Sequence, residues 1–180
     1  AVSAANSLVG STANDRVGGT DIVALDNGNY LVVSDTWDDS GTANVGAVTF
    51  GSGTTGVAGT ITSINSLIGS TANDQVGGTG LTVLENDNYV VRSHLWDNGA
   101  TLNAGAATFG SGTTGVAGVV SAANSLVGTT ANDAVGGTGI VELANGNYLV
   151  ASHTWQNGAF GDAGAVTFAS GTTGIVGAVS

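Results

Sequence analysis

Residues 21–34 read DIVALDNGNYLVVS, which is two runs of strand-forming residues around a short polar segment. Residues 21–25 and 30–34 are rich in β-branched and aromatic side chains, and Asn27 and Gly28 lie between them. An Asn-Gly pair in this setting is a strong hairpin signal, because Asn tolerates a positive φ and Gly adopts one readily. The stretch therefore predicts an antiparallel hairpin with a type I′ turn.

The hairpin stretch recurs at a period of 59 residues without insertion or deletion, as the three tryptophans show: Trp37, Trp96 and Trp155. The first two copies are identical at 36 positions, so the copies are expected to fold alike. We predict four segments along the chain: repeats 1–59, 60–118 and 119–177, and residues 178–180, which begin a fourth copy. A segment of a longer array, or a chain whose ends meet, is expected from this arrangement.

The sequence of each copy predicts four short antiparallel strands. After the hairpin, residues 46–50 predict a third strand and residues 57–63 a fourth, and helical spacing is absent. Asp87 replaces the turn glycine in the second copy, so we expect that turn to be strained or of another type. A four-stranded meander repeated in tandem is typical of an all-β protein made of propeller-type blades. A β-trefoil-like fold with pseudo-threefold symmetry is the alternative.

Composition excludes several classes of function. The chain carries a net charge of -11, no Lys, and only Arg16 and Arg92, so we expect no nucleic-acid binding, which needs cations to replace phosphate counterions. Apolar runs are too short for a membrane span, and the absence of Cys removes thiol chemistry. No catalytic motif recurs, and near-identical copies do not readily supply one asymmetric pocket, so we expect a protein that is not an enzyme.

The repeats resemble the FG-GAP repeat of integrin-type β-propellers over essentially the whole chain. Residues 65–78 resemble that family's lead-in, with Val76-Gly77 at its Phe-Gly position, and residues 93–95 fall where it has Gly-Ala-Pro. Residues 105–111 resemble its third strand. The resemblance implies that each copy is a propeller blade.

Many FG-GAP blades carry a calcium loop in the first hairpin, so the resemblance raises the question of Ca²⁺. Here the corresponding loops are short, at residues 26–29, 85–88 and 144–147, and the third holds no carboxylate. Calcium prefers six to eight oxygen ligands, several of them carboxylates. We therefore expect no cofactor, with Ca²⁺ as the one alternative.

The chain is also similar, more loosely, to the repeats of giant bacterial surface and haemagglutinin-like adhesins. That resemblance implies secretion and display rather than chemistry, so we expect an extracellular or cell-surface location. The two arginines and the absence of Lys leave few sites for trypsin-like proteases, and the absence of Cys and Met leaves little that oxidises easily.

Three loops combine an aromatic ring with polar neighbours and are the candidate ligand-binding sites. An exposed ring can stack on a sugar while amide and carboxylate oxygens accept hydroxyl protons. Packing of each ring between blades is the competing interpretation. The candidate residues are Trp37, Trp96, Trp155, Asp38, Asp97 and Asn157.

Two further polar positions recur in every copy. His94 and His153 are equivalent and correspond to Asp35, and we expect them to lie apart on separate blades as variable side chains. An Asn-Asp pair, such as Asn73-Asp74, precedes each Val-Gly, and we predict that it closes a turn through backbone N–H groups.

Together these patterns predict a structural or adhesive repeat module of an extracellular bacterial protein. Its expected partner is itself, through strand edges and blade faces, in a ring or a filament. A lectin-like module that binds glycans or cell surfaces through the Trp loops is the alternative.

Overall fold

The computed structural model describes residues 1–180 and contains strands, turns and loops but no helix, which confirms the all-β class. No helix is therefore long and apolar enough to cross a membrane. Each repeat contributes five strands, one more than the sequence predicts. The strands are β1 (Leu8–Val9), β2 (Asp21–Ala24), β3 (Tyr30–Ser34), β4 (Ala47–Gly51), β5 (Gly59–Thr60), β6 (Ser66–Ile68), β7 (Leu81–Val83), β8 (Tyr89–Ser93), β9 (Ala106–Gly110), β10 (Gly118–Val119), β11 (Ser125–Val127), β12 (Gly139–Glu142), β13 (Tyr148–Ser152), β14 (Ala165–Ala169) and β15 (Gly177–Ala178).

Each complete sheet combines strands of successive repeats. The first has the order β10-β6-β4-β3-β2, and the second has the equivalent order β15-β11-β9-β8-β7. In the first sheet, β2, β3, β4 and β6 are antiparallel neighbours, and β10 adds in parallel to β6. The four-stranded meander is therefore present, but its fourth strand comes from the next repeat. Neighbouring repeats are interlocked rather than merely adjacent.

The predicted fourth strand at residues 57–63 is mostly loop. Only Gly59–Thr60 is extended, and it pairs in parallel with β1 instead of continuing the meander. Gly56 and Gly59 both have positive φ, which interrupts an extended backbone on either side of Val57. The chain then turns at Thr62, whose N–H donates to the Asn65 Oδ1 at 2.9 Å.

The first hairpin has a three-residue loop rather than the predicted type I′ turn. The Leu25 N–H donates to the Asn29 carbonyl at 2.8 Å, and only Gly28 in the loop has a positive φ. This is the geometry of a type I turn followed by one left-handed residue. Asp87 takes the same conformation with φ 66°, so the expected strain is present, and its carboxylate accepts the Asp26 N–H at 2.8 Å.

The sheets stack face to face, and each hydrophobic core lies between two of them. Leu31 and Val48 of the first sheet are fully buried against Tyr89 and Val91 of the second. A second core joins the second sheet to the strands β12, β13 and β14 in the same way. Full burial of such side chains stabilises by about 1.5–3 kcal/mol each. Stability therefore comes from repeat-to-repeat contact, and no closed barrel is formed.

Candidate functional site

The two ends of the stack hold incomplete sheets. The C-terminal end is the three-stranded sheet β12-β13-β14, and the N-terminal end carries the two-stranded sheet β1-β5. In the complete sheets, the equivalents of β1 and β5 pair beside the equivalent of β14. The three strands at one end and the two at the other therefore make up one complete five-stranded sheet.

The C-terminal end exposes an apolar face that is covered at every other position in the stack. Val166 is 68 % exposed and Phe168 is 56 % exposed. The residues equivalent to Val166 are Val48, with 0 % exposure, and Ala107, with 2 %. The same sequence position is thus a core residue inside the chain and a surface residue at its end.

A pocket of about 360 Å³ opens on this end of the chain. At the first junction between repeats, the equivalent space is filled by the loop of residues 75–78: a Cβ built on Gly46 would lie 2.3 Å from the Val76 nitrogen. The equivalent loop that has no partner repeat is residues 16–19 at the N-terminal end. The pocket is therefore an unfilled socket for such a loop. Its lining residues are Thr138, Ala151, Ser152, His153, Ala163, Gly164, Ala165 and Val166.

At the N-terminal end, apolar residues that are buried in the internal junctions are likewise exposed. Val17 is half-buried, whereas its equivalents Val76 and Val135 are fully buried in the two junctions. Ile22 is mostly exposed, whereas its equivalent Leu81 packs against a core between sheets. Both ends of the stack thus present the halves of a junction that the chain forms twice internally.

Backbone hydrogen bonds set the register at each internal junction. The N–H groups of Asn73, Gln75 and Val76 donate to the carbonyls of three consecutive residues in the preceding repeat, at 2.9–3.1 Å. The accepting residues are Ala43, Asn44 and Val45, and the second junction repeats the pattern 59 residues later. At the two ends, the matching donors belong to residues 14–17 and the matching acceptors to residues 161–163.

Side-chain amides also cross each junction. Asn27 and Asn29 both donate to the Gly112 carbonyl at 2.9 Å, and the Asn pair of the second repeat bonds the Gly171 carbonyl in the same way. The amide oxygens are engaged as well, because the Asn27 Oδ1 accepts the Asn29 N–H and the Asn29 Oδ1 accepts the Gly53 N–H, both at 3.0 Å, so the hairpin loops offer few free oxygens to a cation. The described residues also contain no group of three or more His, Asp or Glu side chains placed to hold a metal. The loops therefore do not fit the calcium site that the FG-GAP resemblance suggests.

A buried aspartate anchors the loop that fills each socket, as the Asn-Asp pattern predicts. Asp74 is fully buried, and its Oδ2 accepts the N–H groups of Ser70 and Thr71 at 2.8 Å. Its Oδ1 accepts the Asp97 N–H at 2.9 Å. Burial raises the pKa of Asp74 above its ordinary value and the nearby Asp97 carboxylate adds to this, although the three backbone bonds oppose the rise. Asp15 and Asp133 hold the equivalent loops.

The structure places the predicted ligand-binding tryptophans mainly in the core. Trp37 and Trp96 are 2 % and 3 % exposed, and Trp155 is half-buried. The first two pack against apolar residues between sheets, so neither ring offers a face to a sugar. The expectation of an exposed stacking surface is therefore wrong for these two rings, and the packing interpretation holds.

The polar members of the predicted ligand site are dispersed among the repeats. Asp38 and Asp97 each accept a backbone N–H within their own loop, from Asn44 and Asn103 at 2.7 Å. The backbones of Asn157 and Phe160 form two reciprocal N–H···O=C hydrogen bonds across a tight turn. The structure does not bring these residues together into one site.

The histidines lie on separate repeats, as predicted. The Nδ1 of His94 bonds the Thr79 hydroxyl, and His153 bonds Thr138 in the same manner at 2.7 Å. His94 is half-buried beside Arg92, and burial, followed by the charge of Arg92, lowers the pKa of His94 below 6.5.

The lowered pKa of His94 predicts a pH dependence of stability. A base whose folded pKa is depressed binds protons better when unfolded, so its contribution is fully present above 6.5 and is lost as the pH falls from 6.5 towards the folded value. We expect His94→Gln to reduce the fall in the free energy of unfolding between pH 7.5 and 5.5. Urea unfolding across that range measures it, and identical slopes for the two proteins would contradict the assignment.

Sequence reasoning missed the socket because most of its lining residues are small, and its one histidine, His153, was expected to be only a variable side chain. The available signal was the repeated glycine at Gly46, Gly105 and Gly164, since another backbone approaches closely at the first two of these positions. That signal indicates a close approach but does not say that the approaching segment belongs to the next repeat.

The family model described as "Repeat of unknown function (DUF5650)" matches the chain in four segments: 1–19, 24–78, 83–137 and 142–180. The two longer matches each span two neighbouring strands of one repeat and the strand of the following repeat that joins their sheet, which are β3, β4 and β6 in the first match and β8, β9 and β11 in the second. The match supports a repeat protein but not an FG-GAP identity. No curated protein matches the chain.

Proposed function

The chain belongs to the DUF5650 family of repeats, and we propose that it is a non-enzymatic structural module that joins further copies of itself end to end. In this role the repeats supply rigid, stacked sheets, and the two ends supply the joint. The module acts outside the bacterial cell, as a structural or adhesive element. Its near lack of basic residues suits a protein that is exposed to trypsin-like proteases.

The complementarity of the two ends carries the proposal. A second copy whose β1-β5 sheet pairs beside β14 gives the order found in both complete sheets of the chain. The joint would cover Val166 in the way that the second repeat covers Val48. It would also supply the N–H groups of residues 14–17 to the carbonyls of residues 161–163, as in the internal junctions. The contact between copies would therefore repeat the interface that the chain already forms at its two internal junctions.

Exposed strand edges give a second reason to expect association. In the free chain, β14 lacks the antiparallel neighbour that β4 and β9 have, and so presents an open edge. Open edges pair readily with another chain unless charge or proline blocks them. β14 (Ala165–Ala169) contains neither a charged residue nor proline.

Different surfaces meet in this joint, so the contact is heterologous. Such contacts close into a ring if the rotation per copy allows it, and otherwise extend into a filament. In either form the repeats stack as propeller-type blades. The joint needs only strand pairing and apolar burial, and these support a structural role.

Sedimentation velocity over a range of protein concentrations tests the proposal. The buffer should be near physiological ionic strength, where repulsion between chains of net charge -11 is screened beyond about 8 Å. We expect the mass to rise with concentration above the 17.3 kDa of one chain, with and without EDTA. A particle that stays at 17.3 kDa at every concentration would overturn the proposal.

A further inference from the structure

The charges at the two open ends differ from those at the internal junctions. At the first junction, Asn44 faces Asn73 and Gln75, and all three are neutral. The equivalent residues of the second junction are also neutral. At the open ends, however, these positions hold Asp162 on one side and Asn14 with Arg16 on the other.

The internal junctions show where these side chains would lie. The Asn44 Nδ2 donates to the Asn73 Oδ1 at 3.1 Å, and the Gln75 N–H donates to the Asn44 carbonyl at 3.1 Å. Asp162 replaces Asn44 in this geometry, and Arg16 replaces Gln75. The Arg16 N–H would therefore donate to the Asp162 carbonyl across the joint, so that an arginine and an aspartate meet at bonded backbone positions.

The free ends already have the backbone shape that the junction uses. Asp162 has φ 51°, as Asn44 does, and Arg16 has φ 45°, against 46° for Gln75. All four residues are in the left-handed region, which non-glycine residues adopt infrequently. The two halves of the joint are thus preorganised, and association need not reshape them.

We propose that Asp162 of one copy docks against Asn14 and Arg16 of a second copy, and that this contact fixes the direction and register of the joint. The inference rests on the end-to-end assembly proposed above. Because a carboxylate cannot donate, the Asn14 amide turns its NH₂ towards Asp162, and the Arg16 guanidinium neutralises the charge. Both are charge-assisted hydrogen bonds, which are stronger than the neutral amide pairs of the internal junctions.

The contact also disfavours wrong arrangements. Two C-terminal ends facing each other would place Asp162 on both sides of the contact, and two N-terminal ends would place Arg16 on both sides, so neither arrangement joins opposite charges at these positions. Like charges placed across an interface suppress such pairings. In a protein with only two arginines, Arg16 is the cation exposed at an end, whereas Arg92 is half-buried and donates to the Thr79 carbonyl.

Charge reversal tests the contact. Asp162→Arg and Arg16→Asp should each raise the dissociation constant of the joint about tenfold. The double variant, and an equimolar mixture of the two single variants, should recover association to within about threefold of the unmodified chain, because opposite charges can again meet across the joint in both cases. Sedimentation measures association, and thermal unfolding checks that each chain is folded. Arg at position 162 suits the backbone, since Arg16 itself has a similar φ.

Glu85→Arg is the matched control, because it makes the same change in net charge as Asp162→Arg at an exposed residue of the second repeat, outside residues 14–17 and 161–163 that form the joint. Both variants lower the long-range repulsion, so a weaker joint in Asp162→Arg alone must come from the local contact. If Asp162→Arg associates as well as Glu85→Arg, or if the double variant fails to recover, the inference is wrong while the proposed assembly stands. If the unmodified chain is monomeric, the assembly and the contact are both wrong.

Discussion

Replacement of Val166 by lysine should abolish self-association while leaving the single chain folded. Val166 is 68 % exposed in the free chain, so the substitution removes little from its own core. In the joint, the same side chain is expected to become as buried as Val48, which is fully buried. Loss of that apolar burial and entry of an unpaired ammonium should together cost about 3 kcal/mol or more, roughly a hundredfold in Kd.

Ile64→Lys provides the control for Val166→Lys. Ile64 is 89 % exposed in the turn between β5 and β6, outside the exposed face of β14, and the change in net charge is the same. We expect this variant to sediment like the unmodified chain, whereas Val166→Lys stays at one chain mass. Equal association of the two variants would show that the exposed face of β14 is not the contact surface.

Replacement of Asp74 by alanine should produce the largest loss of folding stability. The Asp74 carboxylate accepts three backbone N–H groups, and its loss would leave the buried N–H of Asp97 and the partly buried N–H groups of Ser70 and Thr71 without this partner. An orphaned buried donor costs about 1–3 kcal/mol, so a total of about 3–5 kcal/mol is expected. That is a large part of the 5–15 kcal/mol typical of a whole domain.

Chemical denaturation measures this loss, and two further variants define its cause. Asp21→Ala removes an exposed carboxylate and should change the free energy of unfolding by less than about 0.5 kcal/mol. Asp74→Asn keeps one acceptor oxygen and should fall between alanine and the unmodified chain. A similar effect of alanine at positions 74 and 21 would refute the role of Asp74 as the anchor of the socket-filling loop.

The sequence predicts the first three strands of the meander well because their signals are local. Alternating β-branched residues around the Asn-Gly segment specify β2 and β3, and β4 begins one residue later than predicted, after Gly46. The loop type is less well specified. The three-residue loop needs a positive φ only at its glycine, whereas the type I′ turn needs a positive φ at both central residues. An Asn-Gly pair suits either loop, so the sequence does not distinguish them.

The strands that join repeats are harder to predict from sequence. β1 and β5 have two residues each, too few to show an alternating pattern, and their pairing depends on segments about 50 residues apart. Residues 57–63 have strand-like composition, but the positive φ of Gly59 limits the strand. Local composition therefore indicates strands, while the interlocking arises from tertiary packing.

The candidate site was difficult to predict for a related reason. Trp37 looks like a binding residue because it stands beside a carboxylate, and only packing against Ile61 and Ile68 shows it to be part of the core. Val166 is the reverse case, since its sequence context is that of the buried Val48. Whether a repeated position is core or contact surface depends on whether a following repeat covers it.

An engineered cross-link tests the central claim, that the incomplete end sheets complete one another. The hydroxyls of Thr49 and Ser66 lie 2.6 Å apart on paired strands, and the equivalent pair of the second sheet is 2.7 Å apart. The equivalent residues at the open ends are Thr167 and Ser7. Residues paired across antiparallel strands have Cα atoms about 4.5–5.5 Å apart, which suits a disulfide.

The chain has no cysteine, so Ser7→Cys and Thr167→Cys each introduce the sole thiol of their chain. The two single variants are mixed under mild oxidation and analysed by mass spectrometry without reductant. The account predicts a covalent dimer that contains one chain of each variant, in excess over either homodimer. Association without that mixed dimer, or homodimers alone, would contradict it.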